Sequence, residues 1–179
     1  ASSMDYVYEK EGYYCPSTGV IQNNPYPAYE KSGAGDKVYN TIILPTDTGV
    51  SVNSAAENIT LDVGETVASA SHITMTDADT KDVRDVYYYI LHDTSKKAQR
   101  TFGKYSTDAK LALAETYKSK PSMYILQDGT VLKDAESENF IVYSEAKLDE
   151  LSVTINDGVM ELDSSKAIDL ATLAIRSEE

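Results

Sequence analysis

From about residue 50 onward the chain is built of short apolar segments with a period of two, a pattern that few folds tolerate. In NITLDVG, Ile59, Leu61 and Val63 alternate with Thr60 and Asp62, and SHITMTD continues the alternation with Ile73 and Met75. Successive side chains of an extended chain point to opposite faces, so each segment reads as a half-buried strand. VYYYILH also fits one helical face through Val83, Val86, Tyr87, Ile90 and Leu91. Three tyrosines in a row favour a pleated surface, and a strand is expected there. In SMYILQDGTVLKD, Asp128-Gly129 sits between two β-prone runs and predicts a type I′ hairpin; Asn156-Asp157-Gly158 in DELSVTINDGVMEL repeats the pattern.

One helix is expected, in STDAKLALAETYKSKP. Ser106, Thr107 and Asp108 offer a start, good helix formers follow, Lys118 and Lys120 suit the negative end, and Pro121 stops the run. The last segment, SSKAIDLATLAIRSEE, fits helix or strand and is read as strand. No repeat of solenoid length is present.

Residues 1–50 are different in kind. They hold Pro16, Pro25, Pro27 and Pro45 among paired aromatics, as in NNPYPAYE, and proline keeps such a stretch extended or turned. Disordered tails are poor in aromatic residues, so this segment is expected to be ordered. Two readings stand level: an extended Tyr/Pro-rich arm, or irregular strands. The domain division is placed accordingly, with 1–50 as the N-terminal segment and 51–179 as the main domain.

Composition narrows the class. At 179 residues, 41% hydrophobic and 25% charged, the chain suits one sizeable domain or one small domain with a long extension. Apolar runs such as Thr41-Ile-Ile-Leu44 are too short to span a bilayer, and no membrane insertion is expected. No basic start precedes an apolar core, so no intact signal peptide is expected, and Ala1-Ser2-Ser3 suits either kind of processed end. A net charge of −13 argues against nucleic acid, which needs clustered Lys and Arg. Cys15 is the only cysteine, so no internal disulfide is expected. Tyrosine is the unusual count: 14 Tyr against 2 Phe and no Trp, suited to half-exposed strands and interfaces.

Catalytic signatures are missing from the linear sequence. His72 and His92 stand outside any metal-ligand spacing, no G-x-S-x-G occurs, and GAGDK lacks the ending of a phosphate loop. Asn58-Ile59-Thr60 is a glycosylation sequon.

The one chemical knot is acidic: Asp77-Ala-Asp79, with Asp82 and Asp85 close behind. Alternate residues of an extended chain face the same way, so Asp77 and Asp79 can present two carboxylates together. Calcium needs six to eight oxygen ligands. The other reading is an acidic turn whose carboxylates cap backbone donors. Glu57-Asn58, followed about twenty residues later by ITMTDADT and a β-rich run, resembles a cadherin-type repeat over about residues 50 to 176. SVTINDG and DLATLAI stand where that family has its later motif and closing strand. QDGTVLKDAESENFIVY is similar to the mid-domain hairpin of proteoglycan-type immunoglobulin-like repeats of surface proteins. The resemblance implies calcium at Glu57, Asp77, Asp79 and Asp157. The family's D-x-N-D-N-x-P linker is absent, and the spacing is not that of an EF-hand.

The expected fold is mainly β: an immunoglobulin- or cadherin-like β-sandwich with one short helix and an N-terminal extension. The expected function is that of a non-enzymatic structural surface protein, a subunit of a virion, filament or cell envelope. It would be extracellular or on a particle surface and bind protein neighbours as a homo- or hetero-oligomer. The alternatives are a calcium-dependent adhesion module and an enzyme of unknown type.

Overall fold

The computed structural model describes residues 6–18, 20–23, 26–34, 38 and 52–176. The chain divides into two units, Ala1–Tyr39 and Asn40–Glu179. In the first, β1 (Tyr6–Lys10) pairs antiparallel with β4 (Tyr26–Glu30), and between them in sequence β2 (Tyr13–Ser17) pairs with β3 (Val20–Asn23). The described residues of the N-terminal segment form paired strands. Pro16 and Pro27 lie in these two-stranded ribbons, where every strand has an edge on which a missing N–H is tolerated. The Thr41–Leu44 run and Pro45 lie outside the described residues.

The second unit is mainly β, and every pairing among its described residues is antiparallel. Its strands are β5 (Val52–Ile59), β6 (Ala68–Asp77), β7 (Val83–Leu91), β8 (Arg100–Phe102), β9 (Tyr105–Thr107), β10 (Leu111–Tyr117), β11 (Lys120–Asp134), β12 (Phe140–Asn156), β13 (Val159–Asp163) and β14 (Leu173–Ile175). The main path runs β13-β12-β11-β10-β7-β6-β5. Beyond a break in register, the second half of β11 pairs β9 and the first half of β12 pairs β14, so the two long strands serve two sheet segments. Between these segments lies one core. Ala68, Ala70, Tyr89, Leu91, Ala112, Ala114, Tyr124, Leu126, Leu151 and Val153 come from the main path; Phe102, Tyr105, Leu132, Ile141 and Val142 come from the second segment. This is sandwich-type layering. Neighbours on the main path are consecutive in sequence except β10 and β7, between which the chain makes the β8–β9 hairpin, and the described pairings contain no Greek-key crossing of the immunoglobulin kind.

Expected and observed elements agree for β6, β7 and β14, and for the Asn156–Val159 hairpin, where Asp157 (φ 49°) and Gly158 (φ 78°) are both left-handed. Three expectations need correction. First, the NITLDVG strand ends at Ile59; Leu61 and Val63 lie in a loop but still pack against the core. Second, Ser106–Pro121 is no helix. It is the end of β9, all of β10, a two-residue turn at Lys118 and Ser119 (φ 54° and 63°), and the start of β11. The run LALA has a period of two, and it sets Ala112 beside Tyr89 and Leu126, and Ala114 beside Tyr87 and Tyr124. Both alanines are fully buried, because a small residue fits between large ones, and packing overrides helix propensity. Two three-residue 3₁₀ turns, Thr94–Lys96 and Leu170–Thr172, are the helical elements among the described residues.

Third, Asp128-Gly129 is not a hairpin but an interior stretch of β11, just before a break in its pairing with β12. Asp128 is left-handed (φ 60°), as the dipeptide suggests, but the strand continues through it. A step of two residues along β11, from Gly129 to Val131, is matched by a step of five along β12, from Leu148 back to Tyr143. The Asp108 carboxylate holds this break by accepting from Thr130 N (2.8 Å), Thr130 Oγ1 (2.7 Å) and Val131 N (3.0 Å).

Candidate functional site

The acidic knot is a turn. Asp77 closes β6, and its carboxylate accepts the backbone N–H groups of Asp79 (2.8 Å) and Thr80 (2.7 Å). Those bonds, Thr80's first, hold the Asp77 carboxyl below its ordinary range. Lys81 completes the turn with a left-handed backbone (φ 63°) and an N–H bonded to the Asp77 carbonyl. Asp82 is bound by Lys118 Nζ (2.9 Å) and by the Tyr117 hydroxyl (3.1 Å), and the lysine lowers its pKa.

The four residues expected to share a cation are dispersed. Strand register places Val52, not Glu57, beside Asp77. Glu57 lies five residues further along β5, about 17 Å away. Asp157 sits in the β12–β13 turn, four strand spacings from β6, or about 19 Å. Only Asp77 and Asp79 are neighbours, and Asp77 is occupied by backbone donors. Among the described residues, no group of three or more His, Cys, Asp or Glu is placed to hold a metal ion.

Glu57 has a different partner, which sequence spacing did not reveal. It opposes His72 on β6, and His72 opposes Tyr87 on β7. His72 Nδ1 lies 3.1 Å from Glu57 Oε1, and Nε2 lies 3.0 Å from Asp85 Oδ1. The ring stacks on Tyr87 at 4.2 Å and 13°. Tyr87 meets Tyr105 edge-on at 5.3 Å, and Lys104 Nζ lies 5.4 Å from both tyrosine rings. Thr74 Oγ1 is 3.4 Å from His72 Nε2, which gives the order of a hydroxyl–imidazole–carboxylate triad. The hydroxyl, however, donates to Asp85 Oδ1 (2.9 Å), and Asp85 also occupies Nε2. The two carboxylates lie against different ring nitrogens, so they cannot converge with the ring on one ion. The arrangement is a polar brace across three strands.

That brace ends at the edge of the sheet. Among the described residues no strand pairs with the outer side of β5, and Asn53 through Asn58 are all exposed. Its register with β6 is unbroken from Val52 to Ile59. The free edges differ in how they are protected. β8 and β14 are three residues long, and β13 carries Glu161 and Asp163 in five residues. Short length and charge are the usual means of blunting an edge. β5 has neither, nor a proline or bulge, and its one charged residue, Glu57, is held by His72.

No protein-family model, curated protein or solved structure matches this chain.

Proposed function

We propose that the chain is a non-enzymatic structural subunit that assembles with protein neighbours by adding a strand to β5, at an extracellular or particle surface. One observation carries this reading: among the described residues β5 is the long, nearly neutral, exposed edge of a sheet whose other edges are short or acidic. Strand addition takes its affinity from main-chain hydrogen bonds, and β5 offers eight residues for it. A second copy is a compatible neighbour. Two-fold antiparallel pairing centred on Ala55 sets Glu57 opposite Asn53, and pairing centred on Ala56 sets it opposite Ala55, so neither register opposes two Glu57 side chains. Exposed aromatics, including Tyr26, Tyr117, Phe140 and Tyr143, suit a surface made for contact. Calcium is not part of this reading, since Asp77 is taken up by its own turn.

The test is light scattering of the chain and of the double variant Ser54→Lys/Ala56→Lys. Both substitutions fall on exposed positions, so stability should change by no more than about 0.5 kcal/mol. The expected result is an oligomer for the unsubstituted chain and a monomer for the variant. Equal mass for the two removes β5 as the assembly edge.

A further inference from the structure

The brace behind β5 has a chemical requirement that the edge inherits. Both ring nitrogens of His72 face carboxylate oxygens, at 3.1 and 3.0 Å. An imidazolium donates from both nitrogens, whereas a neutral ring donates from one and turns a lone pair toward the other carboxylate. Exchanging the tautomer only moves the mismatch from Asp85 to Glu57. The ring has little freedom to swing away, because it stacks flat on Tyr87, which is itself packed against Tyr105.

We propose that protonation of His72 gates the β5 edge: the protonated ring ties β5 to β6 and β7 and neutralises the edge's one charge, whereas the neutral ring donates to at most one of the two carboxylates and neutralises neither. The proposal rests on the reading of β5 as the assembly edge and names its regulation. The groups facing the ring are Glu57 from β5, Asp85 and Tyr87 from β7, and the neutral Thr74 of its own strand. Lys104, in the β8–β9 turn, lies over Tyr87 rather than against the ring. The sign follows from the donors: the tie is present while the ring carries both protons and is lost as pH rises. An edge strand left with an unpaired Glu57 accepts an incoming strand less readily, since charge on an edge opposes addition.

The test uses the Ser54→Lys/Ala56→Lys chain, so that assembly does not mask the edge. Amide hydrogen exchange along β5 is measured at about pH 5.5 and about pH 8, on either side of the range in which imidazoles titrate. Each rate is corrected for intrinsic exchange at its pH. The expected result is a protection of β5 roughly two- to fivefold lower at the higher pH, the scale of an exposed ion pair. His72→Gln should abolish the difference, and so should Glu57→Gln, whose side chain is 75% exposed and has little to do with folding. Equal protection at both pH values, or a difference that survives Glu57→Gln, overturns the gate. Either result leaves assembly through β5 to be judged by the mass of the unsubstituted chain, so the two ideas fail separately.

Discussion

Gly129 shows how a single residue can fix the course of a strand. A Cβ built on it would lie 2.5 Å from Ala109 Cβ and 2.6 Å from Ala109 Cα, and a backbone atom cannot step aside as a flexible side chain does. Gly129→Ala is expected to cost about 1–3 kcal/mol in chemical denaturation. Gly64→Ala, with nothing within 4 Å, should stay within about 0.5 kcal/mol. Half of this was legible in the sequence. Asp-Gly announced a left-handed residue, and Asp128 is left-handed, but the crowding that reserves position 129 for glycine comes from Ala109, twenty residues earlier. The acidic turns yield a second residue-scale prediction. Asp77, Asp93 and Asp134 are held low chiefly by N–H or hydroxyl donors, and Asp82 and Asp128 by Lys118 and Lys147. Their folded pKa values lie below the unfolded ones, so their stabilisation is full above about pH 4 and is lost as pH falls through the carboxylate range. A thermal midpoint clearly lower at about pH 3 than at about pH 6 is expected; an unchanged midpoint would show that these bonds contribute nothing.

At the level of elements, the contest was between propensity and packing. Ala, Leu, Lys and Glu in KLALAETYKSK are good helix formers, and the lysines and Pro121 read as a helix end. What decided for β10 was the neighbours of Ala112 and Ala114, namely Tyr87, Tyr89, Tyr124 and Leu126, all distant in sequence. Ala112→Leu separates the two cases. On a helix surface it would be nearly neutral, whereas in β10 it overfills a fully buried site between Tyr89 and Leu126 and should cost about 1–3 kcal/mol. β6 was legible because Ile73 and Met75 alternate with polar residues, and β7 because its β-branched and aromatic residues are dense. The Glu57–His72–Asp85 brace was not legible, because the pairing of β5, β6 and β7 must be known before those three side chains can be placed together. The fate of Asp77 was half legible, since an acidic residue ahead of a turn is as good a cap as a ligand.

For the whole molecule, fold class and function differ in how far sequence could reach. Period-two segments and their turns established a mainly β unit with sandwich-type layers, since apolar faces of that period must be buried against each other. Edges, by contrast, are a property of the assembled sheet: among the described residues β5 is exposed because the main path ends with it, which no residue of VNSAAENI announces. The measurement that tests the central claim most directly is hydrogen exchange along β5 of the unsubstituted chain, dilute and monomeric against concentrated and assembled. Strand addition predicts new protection at alternate β5 amides, those whose N–H groups point away from β6, with β13 unchanged. Assembly that leaves every outward β5 amide exchanging as in the monomer would contradict it and place the contact elsewhere on the surface.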